Sequence, residues 1–208
     1  MTHQRSTVAV VDDDSSVCRS LRRLLMSAGY DVLLFPSAAA FLDGYRTGCC
    51  GCVVLDILLP GISGLDLQQE LTARGITVPI VFITGHGDIP MSVRAMKAGA
   101  VDFLTKPFDP EGLLKSIDQA LRLDVQRRAE QAEVDDIQAR LARLTPRERE
   151  VMERVVTGLL NKEIASDLGI AEKTIKVHRA RVMEKMGVES LAELVHLAET
   201  VSLGLARR

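Results

Sequence analysis

Four short apolar runs of the sequence lead into residues whose side chains could do chemistry. VAVV and CVVL are followed by aspartates, IVFI by a threonine and VDFLT by a lysine; the residues are Asp12, Asp13, Asp56, Thr84 and Lys106. If the runs are parallel strands, their carboxyl ends lie at one edge of a sheet, where ligands bind. Three clustered carboxylates repel one another, and a divalent cation with oxygen ligands plus an ammonium group relieves that repulsion. The pattern suits a phospho-accepting aspartate.

The elements that must position these residues alternate along the first 121 positions. About 10 to 15 residues of helical pattern separate strand-like runs, which favours a parallel sheet covered on both faces. The predicted strands are 8–11, 32–35, 53–55, 80–83 and 101–104. Turn and capping residues before the helices support these boundaries. We therefore expect an α/β domain of five βα units over residues 1–121.

A helical linker is predicted over residues 122–144. The sequence contains neither glycine nor proline between Gly112 and Pro146, so one long helix continues from the fifth unit. Its later part has balanced charge and a thin apolar seam through Ile137, Leu141 and Leu144. This seam leaves two interpretations open, a solvated spacer helix or a short coiled coil between two copies.

A second, all-α domain is predicted over residues 145–208. The TPRE motif gives a capping box, with Thr145 as N-cap and Glu148 at the third helical position. Four helices follow, at 146–156, 161–168, 172–186 and 191–201. The link LGIA between the second and third is very short and contains a glycine, which is the spacing of a helix-turn-helix.

The third of these helices has the character of a DNA-reading helix. Ile175, Val182 and Met186 cluster on one side and should face the core. The opposite face combines long cations with small apolar groups, which suits a major groove, although a solvated face is the alternative. Its candidate contacts are Lys176, Val177, Ala180 and Arg181, and Asn161, Lys162 and Thr174 at helix beginnings are candidates for holding phosphates. His178 lies nearer the buried side, where a structural role is expected.

The overall composition excludes several classes of protein. A net charge of −2 over 208 residues, with ordinary apolar and charged fractions, indicates neither disorder nor a strongly basic coat. No apolar stretch approaches the roughly 18 to 20 residues that span a bilayer, so we expect a cytoplasmic protein without a membrane partner. The CCGC motif could indicate a redox or metal site, but buried thiols acting as small hydrophobes fit it better.

These motifs together resemble bacterial two-component response regulators of the NarL/FixJ type. VVDDD, LDILLPGISG, ITGHGD and AMKAGAVDFLTKPF are similar to a receiver domain, especially of the FixJ subgroup. LTPREREVM and GLLNKEIASDLGIAEKTIKVHRARVMEKM are similar to the four-helix LuxR-type DNA-binding domain. The resemblance implies a flavodoxin-like, doubly wound (βα)5 receiver, a long helical linker and a helix-turn-helix domain.

The resemblance also implies roles for the acidic cluster. Asp56 would be phosphorylated by a cognate sensor histidine kinase, with Mg²⁺ (or Mn²⁺) neutralising the phosphoryl oxygens. Asp13 and Asp56 would be metal ligands, Asp12 would act through water, and the backbone carbonyl of Leu58 would complete the set. Lys106 would pair with a phosphoryl oxygen, across a cis bond to Pro107.

A switch is implied at Thr84 and Phe103. The threonine hydroxyl would turn towards the phosphoryl group, and Phe103 would rotate into the vacated space; the alternative for Phe103 is a plain core aromatic. The output surface would be residues 89–104. Leu58 and His86 occupy positions where receivers vary. Ala180 stands where some members of the family have a lysine, and Ala171 replaces a side-chain cap common at the start of the reading helix.

We therefore expect a phosphorylation-activated transcription factor and not an enzyme. It would be an activator that dimerises, binds two-fold-related double-stranded DNA and contacts RNA polymerase. A phosphatase of the haloacid-dehalogenase type, with Asp56 as nucleophile, would need a second acid at position 58, where the chain has leucine. An orphan regulator that ignores phosphate would not need the complete acidic pocket.

Overall fold

A computed structural model describes the backbone of residues 6–85 and 89–206. The chain divides into two units, Met1–Arg127 and Arg128–Arg208, which we call the N-terminal and C-terminal units. No helix among the described residues is both long and apolar enough to cross a membrane.

The N-terminal unit alternates strands and helices, as the sequence predicts. All pairings are parallel and the strand order is β2-β1-β3-β4-β5. The elements are β1 (Thr7–Val11), α1 (Ser15–Ser27), β2 (Asp31–Phe35), α2 (Ala38–Gly44), β3 (Cys52–Asp56), α3 (Gly64–Ala73), β4 (Ile80–Thr84), α4 (Ile89–Lys97), β5 (Asp102–Thr105) and α5 (Pro110–Ala142). Each strand lies within one residue of its predicted bounds. The expected doubly wound α/β fold is therefore confirmed.

The core of this unit lies on both faces of the sheet. Alternate residues of a strand point to opposite faces, so Val53 and Leu55 of β3 pack on one side and Val54 on the other. Helices α2, α3 and α4 cover the first face, and α1 and α5 cover the second. The central strands are consequently buried throughout, which explains why they read as continuous apolar runs.

The cysteines belong to this core. None of the four, all within the described residues, forms a disulfide; Cys50 and Cys52 are buried, and Cys49 is half-buried. Burial raises the pKa of the Cys50 and Cys52 thiols, which makes them poor nucleophiles and poor metal ligands. Among the described residues, no cysteine falls in a group that could hold a metal ion. The thiols behave as small hydrophobes.

Up to residue 206, the C-terminal unit contains the end of α5 and four further helices. They are α6 (Pro146–Val156), α7 (Asn161–Leu168), α8 (Glu172–Met186) and α9 (Leu191–Ala206). The bounds of α6, α7 and α8 agree with the prediction, whereas α9 continues beyond residue 201. Gly169 ends α7 in the left-handed conformation at φ 64°, as the short turn before α8 requires.

The long helix is confirmed, and the residues of its apolar seam are packed within the C-terminal unit. Ile137 and Leu144 are buried in the core formed by α6 to α9, and Leu141 packs against that core. These positions therefore belong to neither a solvated spacer nor a seam left open for a second copy.

Candidate functional site

The carboxyl edge of the sheet brings the predicted chemical residues together. Asp12 follows β1, Asp56 ends β3, and Lys106 follows β5. The Lys106 Nζ atom lies 2.6 Å from Asp12 Oδ2 and 2.8 Å from Asp56 Oδ2. One carboxylate oxygen each from Asp12, Asp13 and Asp56 lies within 4.8 Å of the others. The parallel sheet therefore gathers three acids and an ammonium group at one point.

Each of the two buried acids is oriented by its own loop. Asp12 Oδ1 accepts a hydrogen bond from the backbone N–H of Asp14 at 2.9 Å, and Asp56 Oδ1 accepts one from Leu58 at 3.1 Å. Such bonds to a backbone group two residues on are typical of aspartates that begin turns. Each acid therefore turns one oxygen to its loop and the other to Lys106.

A glycine lets α3 approach the backbone of Asp56 closely. A Cβ atom at position 64 would lie only 2.2 Å from the carbonyl oxygen of Asp56. The Gly64 N–H donates to Ile57 O at 2.9 Å, which fixes the loop between β3 and α3. The LDILLPGISG segment does not by itself reveal this role of Gly64, because close approach of two backbones is not visible in a sequence.

Burial and charge act against each other in this cluster. Asp12 is 1% exposed, and burial raises the pKa of its carboxyl group, although the hydrogen bond from Lys106 offsets part of that rise. Burial alone would lower the pKa of Lys106, but its bonds to Asp12 and Asp56 outweigh burial and raise that pKa. Lys106 therefore stays cationic. Asp13 is exposed and faces solvent.

The donor set matches the coordination chemistry of a hard divalent cation. Magnesium prefers oxygen ligands, uses one or two carboxylates in most protein sites and keeps several waters. Here two buried carboxylates and one exposed carboxylate supply oxygen atoms around one point. The acidic cluster is thus consistent with a divalent metal site.

The remaining predicted residues of this site differ in exposure. Thr84 is fully buried at the end of β4, and its carbonyl oxygen accepts a hydrogen bond from the Lys106 N–H at 2.7 Å. Phe103 is partly buried against the core, and the Leu58 side chain is 50% exposed. The bond between Lys106 and Pro107 is cis, as expected. His86 lies outside the described residues.

In the C-terminal unit, helix α8 has the two faces that the sequence predicts. Ile175, Val182 and Met186 are buried in the core. The candidate contacts on the opposite face and at helix beginnings are solvent-exposed, except for a half-buried Asn161; they are Lys162, Thr174, Lys176, Val177, Ala180 and Arg181. His178 is half-buried, and its Nδ1 atom has no hydrogen-bond partner in the described part of the chain.

Two of the polar residues on these helices already have partners in the protein. Lys176 Nζ lies 3.3 Å from Glu172 Oε1, one turn earlier on an exposed face. Asn161 Oδ1 accepts a hydrogen bond from Arg179 Nη1 at 3.2 Å, which joins the start of α7 to α8. The exposed pair of Lys176 exchanges easily with solvent, because surface ion pairs contribute little free energy.

Sequence reasoning missed an ion pair between Lys185 of α8 and a buried carboxylate of α6. Lys185 Nζ lies 2.6 Å from Glu148 Oε2, and Glu148 is only 2% exposed. The hydrogen bond from Lys185 and the bond from the Thr145 N–H lower the pKa of Glu148 to about 2. The capping box was the only signal in the sequence, since it places Glu148 near the helix start without revealing its second partner.

Both units match known protein families. Residues 8–118 match the family described as the response regulator receiver domain, and residues 142–198 match the bacterial regulatory proteins of the luxR family. Residues 119–141 fall between the two matches. Each unit therefore matches a family of its own.

Relatives and solved structures match nearly the whole chain. Nodulation protein W of Bradyrhizobium diazoefficiens is 48% identical over 96% of this chain and 88% of its own length. The transcriptional regulatory protein FixJ of the same species is 48% identical over 92% of this chain and 93% of its own length. The solved structure of the response regulator StyR has a TM-score of 0.83 at 52% identity, covering 94% of this chain and 98% of that one. The chain belongs to the two-component response regulators of the NarL/FixJ type, in which a receiver domain precedes a LuxR-type DNA-binding domain.

Proposed function

We propose that Asp56 is the phosphoryl acceptor through which a cognate sensor histidine kinase controls DNA binding. The observation that carries the proposal is the bridge from Lys106 Nζ to Asp12 and Asp56 at 2.6 and 2.8 Å. A nucleophilic carboxylate needs a fixed orientation and nearby positive charge, because the transferring phosphoryl group carries negative oxygens. The loop bond from Leu58 and the ammonium of Lys106 meet both needs.

The transfer exchanges one phosphorus bond for another. An Asp56 carboxylate oxygen forms a bond to phosphorus while the phosphorus–nitrogen bond of the donor's phosphohistidine breaks and that nitrogen takes a proton. Lys106 would then exchange its contact with Asp56 for a phosphoryl oxygen, since the new group carries more charge than the carboxylate. Asp12 would keep the ammonium near the site.

Asp12, Asp13, Asp56 and the backbone carbonyl of Leu58 would hold Mg²⁺ (or Mn²⁺). A bound divalent ion would supply positive charge to the transferring phosphoryl oxygens. Asp13 supports this assignment because it is exposed beside two buried acids and does not share their bonds to Lys106. Asp12 would act through a water molecule.

Thr84 and Phe103 would form the switch between phosphorylation and output. Thr84 lies on β4 and Phe103 lies on β5, and these two strands pair with each other. A hydroxyl turned towards a phosphoryl oxygen would bias one of two packings of the surface formed by α4 and β5. The biased surface would promote a homodimer, and the dimer would bind two-fold-related DNA.

DNA binding would be the role of residues 145–208. Residues 1–121 would be the receiver and residues 122–144 the helical linker. Helix α8 would enter the major groove, with base contacts from Lys176, Val177, Ala180 and Arg181. Asn161, Lys162 and Thr174 would contact phosphates. The DNA-bound protein would act in the cytoplasm as an activator that contacts RNA polymerase.

The proposal is tested by phosphorylating the full-length protein with acetyl phosphate and Mg²⁺. We expect a mass gain of about 80 Da, that of one phosphoryl group, located at Asp56 by peptide mapping. Asp56→Asn should abolish the gain, whereas Asp43→Asn, at an exposed position outside the cluster, should leave it intact. A label that persists in Asp56→Asn overturns the assignment.

A further inference from the structure

The ends of α5 and α8 exchange hydrogen bonds through their side chains. Arg140 Nη1 of α5 donates to the carbonyl oxygen of Met186, the last residue of α8, at 2.9 Å. In return, Lys185 Nζ of α8 donates to the carbonyl oxygen of Arg143, just past the end of α5, at 3.2 Å. Carbonyl groups at a helix end have no donor within the helix. Each helix therefore supplies the cation that caps the other, and we call this pair of bonds the reciprocal cap.

The guanidinium group of Arg140 is held from two sides. Its Nη2 atom lies 2.6 Å from Asp136 Oδ2, one turn earlier on α5. On the other side it lies against Gly187, where a Cβ atom would be 3.1 Å from Nη1. Gly187 also has φ of 66°, a conformation that favours glycine. The cap thus depends on close contact with the turn that ends α8.

Apolar contacts also join the end of α5 to α8, and an ion pair joins α8 to α6. Ile137 and Leu144 from the α5 side share a core with Val182 and Met186 of α8. Lys185 also pairs with Glu148, whose carboxylate closes the capping box of α6. The last turns of α5 are therefore joined to α8 by apolar contacts and by the two helix caps.

We propose that Arg140 is a positioning residue for DNA recognition, which fixes the angle of α8 against the last turns of α5. The proposal rests on the assignment of α8 as the reading helix. Arg140 lies in the segment 119–141, outside both family matches, although its contacts are within the C-terminal unit. Contacts to base edges carry the sequence information, whereas phosphate contacts carry none directly. Loss of the cap should therefore lower sequence discrimination more than general DNA affinity.

The experiment compares two DNA duplexes with the full-length protein. One duplex is selected from random sequence by the phosphorylated wild type, and the other has the same composition in scrambled order. Arg140→Met keeps the aliphatic stem but removes the donors. We expect its affinity for the selected duplex to fall about five- to tenfold. Affinity for the scrambled duplex should stay within about twofold.

Two further variants separate position from charge. Arg140→Lys retains a cation that can reach Met186 O, so it should recover most of the discrimination. Arg143→Met removes the same charge from an exposed side chain near the same helix end and should leave the ratio of the two affinities unchanged. Hydrogen exchange should quicken at the last turn of α8 in Arg140→Met while α7 stays protected.

Several outcomes overturn the proposal. Equal losses on both duplexes, an unchanged ratio, or an equal effect of Arg143→Met would each show that Arg140 does not position α8. If Arg140→Met does not fold, Asp136→Asn replaces it, because it loosens Arg140 without removing the guanidinium; an unchanged ratio there also overturns the proposal. A wild type that selects no sequence would instead refute the reading role of α8 itself.

Discussion

The acidic site of the N-terminal unit joins residues up to 94 positions apart, whereas the candidate reading face of the C-terminal unit lies on one helix of 15 residues. The first site exists only when the sheet has formed, because Asp12, Asp56 and Lys106 come from different strands. The second needs only that α8 be held at the surface. Changes in the acidic site should therefore alter both stability and chemistry, and changes on the α8 face should alter binding alone.

The two regions also place their charges differently. In the acidic site, the buried charges are the same groups to which we assign the phosphoryl chemistry. In the C-terminal unit, the pair of Lys185 with the buried Glu148 joins α8 to α6, and the candidate DNA contacts on α8 are exposed. In the acidic site, the charges that stabilise the fold are also the candidate functional groups. In the C-terminal unit, these are different residues.

The largest effect on stability is expected for Lys106→Met. If this substitution proved harmless, the acidic site would not couple stability to chemistry as the contrast with α8 requires. Removing one partner of a largely buried ion pair leaves Asp12 and Asp56 facing each other, at a cost of about 2 to 4 kcal/mol in the unfolding free energy of the unit. Added Mg²⁺ should restore part of the loss. Urea unfolding followed by tyrosine fluorescence reports this unit alone, because Tyr30 and Tyr45 are the chain's two tyrosines and it has no tryptophan.

The matched control for this variant is Lys115→Met, which removes an exposed lysine from α5. Its unfolding free energy should stay within about 0.5 kcal/mol of the wild type. A loss as small as this in Lys106→Met would mean that the ammonium does not support the acidic site.

A smaller, pH-dependent effect is expected in the C-terminal unit. Because the pKa of Glu148 is lowered to about 2 by Lys185 and the Thr145 N–H, its charge stabilises the fold above about pH 4.5. That stabilisation is lost as pH falls through about 2. Lys185 is 30% exposed, so solvent screening limits the contribution to about 1 to 2 kcal/mol.

Glu148→Gln measures this contribution by hydrogen exchange of peptides from α6 and α8. The variant should be less protected than the wild type at neutral pH, and the difference should shrink at pH 2 to 3. Glu153→Gln, at an exposed position of the same helix, should match the wild type throughout. A difference that stays constant with pH would contradict the role of the Glu148 charge.

The smallest effect on stability, with a clear effect on binding, is expected for Lys176→Ala. The side chain is exposed and its pair with Glu172 is weak, so the unfolding free energy should barely change. Binding to the preferred DNA site should weaken by about 1 to 3 kcal/mol, with relaxed base preference at one position. Lys162→Ala, at a candidate phosphate contact, should instead weaken binding uniformly across sequences. Uniform loss in Lys176→Ala would reassign it to phosphate.

Much of the fold followed from patterns that lie within single elements. Apolar runs located all five strands, four of them leading into polar residues, and caps and glycine located α6, α7 and α8. The acidic cluster was predictable because a parallel sheet puts strand ends together whatever the side-chain details. Contacts between elements distant in sequence were not predictable. The approach of Gly64 to Asp56, the pair of Glu148 with Lys185, and the packing of Ile137 all depend on relative helix placement.

The pairing of Lys185 changes how strongly the protein should respond to salt when it binds DNA. The sequence offers five cations between residues 173 and 185, but Lys185 is held by Glu148 and by Arg143 O, and Arg179 donates to Asn161. Each phosphate neutralised by a protein cation releases condensed counterions and adds about −0.9 to the slope of log affinity against log salt concentration. Binding by one chain should therefore depend less steeply on salt, by about one to two units of slope, than five neutralising cations would give.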